Sequence, residues 1–157
     1  MGMGNACLAL VLLGLLPISA SAQTLTLSAV QLFGTKRYSA DQLALGLGLW
    51  QGEKVSVARL NQACSKLRKL KLFYAFRCSY FRHGKRVVLK IHVEAAGGLL
   101  TVFDNFVWAS PRELSARLKA EIPLYSDWMP DRNGLTPDIV RVLEKTLVER
   151  GILGRVR

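Results

Sequence analysis

Side chains capable of acid–base or metal chemistry are few and scattered in this 157-residue sequence. His83 lies in a predicted turn and His92 on the polar side of a predicted strand, so neither has a second ligand at metal-binding spacing. Asp104, Asp127 and Asp131 have no histidine or paired carboxylate arranged with them, and we interpret them as turn and cap residues. The sequence has no glycine-rich phosphate loop and no nucleophile elbow. We therefore predict no metal site, no cofactor, no catalytic residue and no enzymatic activity.

The first 22 residues have the pattern of a secretory signal peptide. An almost wholly apolar run from Ala6 to Ile18 precedes Ala20-Ser21-Ala22, the small-x-small pattern of a signal peptidase site, so cleavage is expected before Gln23. About 13 apolar residues are too few to cross a hydrocarbon core about 30 Å thick. No Lys or Arg precedes the run, which leaves a retained anchor as the alternative.

The positive charge is concentrated in one part of the mature chain. Residues 23–96 contain 13 Lys or Arg and three acidic residues, a net charge of +10, whereas residues 97–157 contain nine and eight, a net charge of +1. This step indicates two units, and the basic unit favours an acidic partner or an anionic membrane surface. A basic domain also suits nucleic acid, but export removes that partner, so we predict no nucleic-acid binding.

Residues 23–96 begin with the periodicities of a strand followed by two helices. Leu25–Leu32 alternates apolar and polar residues, which is typical of a half-buried strand. Ser39 and Gln42 form a capping box at the start of a short helix. Ser56 caps a longer helix whose apolar residues recur at helical spacing, with Cys64 among them.

An aromatic-rich strand, Tyr74–Phe81, follows the second helix and places Phe76, Cys78 and Tyr80 on its apolar side. The turn at residues 83–85 then leads into a returning strand that starts at Val87. The predicted fold class is α+β with the order β-α-α-β-β, in which two helices cover one face of a three-stranded mixed sheet. Trp50 and Trp128 fall in linkers, where we expect them to pack under a loop; the alternative is a ligand platform.

Cys64 and Cys78 are the two cysteines of the predicted mature chain, because Cys7 belongs to the signal segment. Cys64 lies on the buried stripe of the second helix and Cys78 on the apolar side of the next strand, so both project into one layer. An oxidising compartment favours joining them. We predict a disulfide; the alternative is two small buried thiols.

Residues 97–157 repeat this plan incompletely. Residues 100–108 have the pattern of another first strand, Ser110 and Glu113 form a second capping box, and a helix opens at Thr136 and ends at Gly151. An offset of 80 residues superimposes the two parts, which is typical of tandem modules. The second copy lacks most of its terminal hairpin, so we expect the chain to be a fragment of a longer protein.

The first part resembles the polypeptide-transport-associated (POTRA) domains that precede the barrel of outer-membrane assembly and two-partner secretion proteins. The resemblance rests on the strand ending Leu32-Phe33-Gly34, on residues 43–52, on the helix end at residues 67–73 and on the closing strand 87–94. It implies one POTRA-like domain at 23–96 and a truncated second one at 97–157. It also implies a periplasmic chaperoning module of a barrel protein, at the periplasmic face of the outer membrane, without catalytic activity.

The resemblance further implies an open sheet edge to which an extended polypeptide adds by backbone hydrogen bonding. The predicted edge comprises Tyr74, Ala75, Phe76, Arg77, Cys78, Ser79, Tyr80 and Phe81. Its partners would be an unfolded outer-membrane or secreted client, a β-barrel domain or other assembly subunits. Phe76 and Tyr80 are expected to hold this strand on the core.

A basic helix face formed by Arg59, Lys66 and Lys69 is either a solvated surface or a contact for anionic headgroups or an acidic partner. Two rival functions stay open from the sequence. A membrane-anchored structural protein, like the single POTRA domain of a cell-division protein, needs residues 6–22 to be retained. A basic nucleic-acid-binding domain needs cytosolic retention.

Overall fold

The computed structural model describes residues 24–156, so the predicted signal segment lies outside the described residues. The first part contains β1 (Leu25–Phe33), α1 (Ala40–Leu47), β2 (Lys54–Val55), α2 (Val57–Leu70), β3 (Phe73–His83) and β4 (Arg86–Ala95). The second part contains β5 (Leu99–Leu100), α3 (Pro111–Glu121), β6 (Trp128–Met129) and α4 (Thr136–Glu149). The predicted α+β class is confirmed.

The main sheet has the strand order β2-β1-β4-β3. β1 runs parallel to β4, while β2 and β3 are antiparallel to their neighbours, so the sheet is mixed as predicted. It has four strands and not three, because the turn after α1 pairs with β1. The Leu27 amide donates to the Glu53 carbonyl at 2.9 Å, and the Gly52 amide donates to the Leu27 carbonyl at 2.7 Å.

Local capping starts both helices of the first part where the sequence predicts. The Ser39 hydroxyl accepts from the Gln42 amide at 3.0 Å, and the Gln42 side chain accepts from the Ser39 amide at 2.9 Å. The Ser56 hydroxyl accepts from the Arg59 amide at 3.2 Å and opens α2. Gly48 ends α1 in the left-handed conformation with φ of 70°, which glycine adopts without steric penalty.

The helices cover one face of the sheet. On β4 the side chains of Val87, Leu89, Ile91 and Val93 are buried, while the residues between them are exposed or half-buried. The buried set packs with leucines of α1 and α2 in one hydrophobic cluster. The opposite, helix-free face of the sheet therefore carries the alternate residues of each strand.

The predicted strand at residues 100–108 is wrong beyond Leu100, because β5 stops there and a loop follows. Asn105 has φ of 61°, which interrupts an extended backbone. Phe103 and Phe106 pack edge to face across this bend, with ring centroids 6.4 Å apart.

α3 starts where predicted, but only half of its capping box forms. The Ser110 hydroxyl accepts from the Glu113 amide at 3.2 Å. The Glu113 carboxylate instead accepts from the guanidinium of Arg150, the residue that directly follows α4.

The two parts share one core. Leu124, which is 2% exposed, packs against α1 so closely that a Cβ at Gly46 would lie 2.5 Å from its Cγ. The Gly134 amide donates to the Leu70 carbonyl at 2.8 Å, at the end of α2. A Cβ at Gly134 would meet the Lys69 carbonyl oxygen at 2.6 Å. The second part thus packs directly on both helices of the first.

Candidate functional site

β3 forms one edge of the main sheet. It pairs with β4 from Phe73 opposite Ala95 to His83 opposite Arg86, and no other described strand lies on its far side. At 11 residues β3 is the longest strand of the described chain, and β4 follows with 10 residues. Alternate backbone N–H and C=O groups of an edge strand point away from the sheet, so this strand presents a row of groups able to pair with another chain.

The edge is not uniform along its length. The register shifts between Phe73 and Ala75, which places Tyr74 in an irregularity where its side chain is 83% exposed. From Ala75 to His83 the pairing with β4 is regular. Strand irregularities and charged residues such as Arg77 are features that limit edge-to-edge association between copies of a protein.

Two grooves flank β3, one on each face of the sheet. On the helix-free face, Ala75, Arg77 and Ser79 line a groove together with His92 and Glu94 of β4. A side chain of an added strand could therefore lie over either face, because successive side chains of a strand alternate between the two faces.

The groove on the helix side lies between α2 and β3. It is lined by Asn61, Ser65 and Arg68 of α2 and by Phe76 and Tyr80 of β3. The Arg68 guanidinium carbon stands 5.7 Å from the centroid of the Phe76 ring, a cation–π arrangement. This groove therefore offers polar and cationic groups above an aromatic floor.

Phe76 and Tyr80 differ in the way they are held. Phe76 is half-buried and packs against the core, as predicted. Tyr80 is 45% exposed, so the expectation that it secures the strand on the core is wrong. Leu89, which lies opposite Tyr80 on β4, is fully buried. The hydrophobic core therefore covers β4 at this position, and Tyr80 lies at the border of the core.

A disulfide joins Cys64 of α2 to Cys78 in the middle of β3, as predicted. The two Cα atoms are 6.4 Å apart, within the range that disulfides span. Cys78 lies opposite Ile91, so the bond passes from the edge strand to the helix layer beside the core. It ties the edge strand to a second element besides β4.

The basic helix face has a structural role that sequence reasoning missed. The Arg59 guanidinium donates to the Gly48 carbonyl and the Lys66 ammonium donates to the Gly46 carbonyl, each at 2.7 Å. Both carbonyls belong to the C-terminal end of α1, where helical C=O groups lack partners within the helix and the helix dipole favours a cation. Two of the three residues are thus engaged by α1, and Lys69 has no such bond within the described chain.

Asp127, interpreted from the sequence as a turn residue, belongs to a small polar cluster in the second part. Its carboxylate accepts from the Lys119 ammonium and from the Ser115 hydroxyl. These hydrogen bonds, the Lys119 bond first, hold the pKa of Asp127 below its usual value.

Among residues 24–156, no group of three or more His, Cys, Asp or Glu is arranged to hold a metal ion.

Trp50 and Trp128 are 56% and 54% exposed, so the expectation that they pack under loops is wrong. Trp50 follows the buried Leu49 at the turn beside β1, and Trp128 lies on the two-residue strand β6. More than half of each of these two tryptophans is therefore open to solvent in the described part of the chain. No helix within 24–156 has both the length and the apolar character of a membrane span.

No protein-family model and no curated protein matches this sequence. Solved structures do match. POTRA domains 1–3 of the periplasmic domain of Omp85 from Anabaena are 13% identical, with a TM-score of 0.43 over 82% of this chain and 52% of that one. The N-terminal domain of Omp85 from the thermophilic cyanobacterium Thermosynechococcus elongatus is 9% identical, with a TM-score of 0.43 over 82% and 53%.

POTRA domains 1–2 of the Anabaena Omp85 are 12% identical, with a TM-score of 0.43 over 82% of this chain and 81% of that one. The chain is similar to POTRA domains. It spans about half the length of the first two structures.

Proposed function

We propose that this chain is a POTRA-like polypeptide-binding module that is exported to the periplasm and serves an outer-membrane assembly or secretion barrel. Its clients would be extended segments of outer-membrane or secreted proteins, held before they are passed to the barrel. On this proposal residues 97–157 are an incomplete second POTRA-like unit that packs on the first.

The observation that carries this proposal is the open edge of β3. From Ala75 to Phe81 the pairing with β4 is regular, and no other strand among residues 24–156 pairs with the outer side of this segment. An added chain would form N–H to C=O bonds that do not depend on its side chains. Each such bond contributes about 0.5–1.5 kcal/mol net, so binding over a few residues is weak and reversible, which suits a transfer role.

The grooves on the two sides of β3 give the edge a limited preference. Arg77 lines the groove on one face of the sheet, and Arg68 lines the groove on the other. Acidic or aromatic side chains of the guest would lie beside these guanidinium groups. We expect moderate salt to weaken this preference, since exposed charges are screened over about 10 Å at 0.1 M.

Two adjacent proline substitutions test strand addition. Successive N–H groups of a strand point to opposite sides, so of Ser79 and Tyr80 one donates toward β4 and the other away from the sheet. Proline removes that donor. We expect one of Ser79→Pro and Tyr80→Pro to disrupt the fold, and the other to remain folded by circular dichroism and to lose binding of an unfolded outer-membrane-protein peptide.

Ser79→Ala and Tyr80→Phe serve as matched controls that keep the N–H and should keep binding. Chemical-shift mapping with the peptide should place the largest changes along residues 74–81. Full binding by the folded proline variant, or shifts confined to the Arg59–Lys69 face of α2, would contradict the proposal.

Export is tested separately by N-terminal sequencing of the protein from a cell with an outer membrane. A mature protein beginning at Gln23 in the periplasmic fraction is expected from the signal pattern. Recovery of a chain that still begins at Met1 would instead favour the membrane-anchored, cell-division type of protein.

A further inference from the structure

Basic residues accumulate at one end of the main sheet. Thr26 of β1 lies opposite both Lys54 of β2 and Arg86 of β4, and Arg86 lies opposite His83 of β3. This row crosses all four strands where β1 begins and where the β3–β4 turn lies. Lys85 belongs to that turn, and its carbonyl accepts from the Thr26 amide at 2.7 Å. We call Lys54, Lys85 and Arg86 the basic end.

The side chains of the basic end are exposed and form no ion pair within residues 24–156. The ion pairs of the described chain lie in the second part, as between Arg117 and Glu149. The nearest carboxylate in sequence, Glu53, accepts from the Trp50 amide at 3.1 Å. Lys54 and Arg86 stand on either side of Thr26 of β1 without an ion-pair partner, so the positive charge of the basic end favours an anionic partner.

The shape of the basic end favours a surface over a pocket ligand. Its cations stand on strand ends and on a turn, and all three side chains are exposed. Trp50 stands in the adjacent turn, where the Gly52 amide is bonded to β1, and is 56% exposed. An exposed tryptophan beside cations is suited to the headgroup level of a membrane.

Connectivity favours a membrane over an acidic polypeptide as the partner of the basic end until the predicted signal segment is cleaved before Gln23. The apolar run of the sequence ends at Ile18, and β1 starts at Leu25 beside the basic end. Seven residue steps span at most about 25 Å when fully extended. While that run is attached to the chain and lies in a bilayer, the basic end is the part of the sheet held closest to the headgroups.

We infer that the basic end docks on an anionic phospholipid surface. β3 has His83 at the basic end and Phe73 at the opposite end of the sheet, so the length of the strand extends away from the basic end. Docking by the basic end would leave the edge of β3 accessible along its length. The surface differs from the basic helix face on α2, whose Arg59 and Lys66 are engaged by α1.

Trp50 provides a reporter for this contact. In the mature chain that begins at Gln23 and carries Trp108→Phe and Trp128→Phe, Trp50 is the remaining tryptophan, and both replaced residues are more than half exposed. Lipid with a nitroxide headgroup should quench the fluorescence of Trp50 more in vesicles with 30% phosphatidylglycerol than in vesicles of phosphatidylcholine alone. The 30% composition is chosen for the test because it gives about the charge density of an anionic leaflet. Lys54→Gln with Arg86→Gln should raise the lipid needed for half-maximal quenching about 25-fold, from about fivefold per charge.

Lys36→Gln with Lys71→Gln is the matched control, since both residues are exposed and lie at the opposite end of the sheet. It removes the same charge and should change the lipid needed for half-maximal quenching by less than about threefold. Charges at that distance from the lipid surface are largely screened by salt. Equal quenching in both kinds of vesicle would overturn the inference, and so would equal losses in the two variants. Binding to poly-glutamate that needs Lys54 and Arg86, without lipid dependence, would assign the basic end to acidic polypeptides and overturn it as well.

Discussion

Alanine at position 46 is expected to destabilise the protein, although alanine is the better helix former. Gly46 lies inside α1, where replacing glycine by alanine ordinarily stabilises by about 1 kcal/mol. Here the added Cβ would lie 2.5 Å from Cγ and 2.6 Å from Cδ1 of Leu124. Leu124 is buried, and overpacking of this kind costs about 1–3 kcal/mol. We therefore expect a net loss of about 1 kcal/mol in the free energy of unfolding.

The effect should change sign when Leu124 is removed. Leu124→Ala alone should cost about 2–4 kcal/mol, because it leaves a cavity in the core. In that background the Gly46→Ala methyl group has space, so it should stabilise by about 1 kcal/mol through helix propensity. The resulting coupling energy is about 2 kcal/mol, large enough for a double-mutant cycle.

Equilibrium urea unfolding followed by far-UV circular dichroism measures each variant, with the m-value checked for two-state behaviour. Leu118→Ala is the control background, since Leu118 is fully buried in α3 and the three atoms nearest a Cβ at position 46 all belong to Leu124. There Gly46→Ala should remain destabilising. If Gly46→Ala stabilises the parent protein, and by the same amount in the Leu124→Ala background, the two parts do not share a core at this point.

Three further predictions concern other contacts. Replacing Cys64 and Cys78 by alanine should lower the free energy of unfolding by about 2–4 kcal/mol in urea, and unchanged stability would contradict the bond. The pKa of Asp127 is lower in the folded protein than in the unfolded chain. The ionised carboxylate therefore stabilises the folded protein above about pH 4, and this stabilisation is lost as the pH falls through the pKa of the folded protein. Stability should thus fall less steeply from pH 4 to pH 2 in Asp127→Asn, and parallel pH profiles would refute this. Arg59→Met should cost about 1 kcal/mol by removing a charged donor from the end of α1, whereas Lys69→Met should change stability by under about 0.5 kcal/mol; equal losses in thermal or urea unfolding would contradict this difference.

Much of the first part could be predicted because its signals are local. The capping box at Ser39 and the cap at Ser56 depend on residues three positions apart, and both helices begin there. The alternation on β4 predicts its buried face in the same way. Residues 100–108 show the limit of such reasoning, since an alternating pattern becomes a strand only when a neighbour completes the ladder, and beyond Leu100 none does in the described chain.

Partners distant in sequence were the features that could not be foreseen. A stripe of cations on α2 has the pattern of a solvated face, yet Arg59 and Lys66 reach carbonyls of α1 that are 11 and 20 residues away. Tyr80 alternates with Phe76 as a core residue would, but the core ends before it. Patterns give the face on which a side chain lies and do not give the extent of the layer that covers it.

The sequence by itself determined the order of elements, the caps, the layer shared by Cys64 and Cys78, and the concentration of positive charge in one part. Each of these follows from spacing along a helix or strand, because the periods of 3.6 and 2 residues are properties of the local backbone. Only the tertiary structure decided that Leu124 packs on Gly46 and that Lys54 and Arg86 flank Thr26 at one end of the sheet. Strand order and helix docking bring together residues far apart in sequence, and no local period encodes which of them meet.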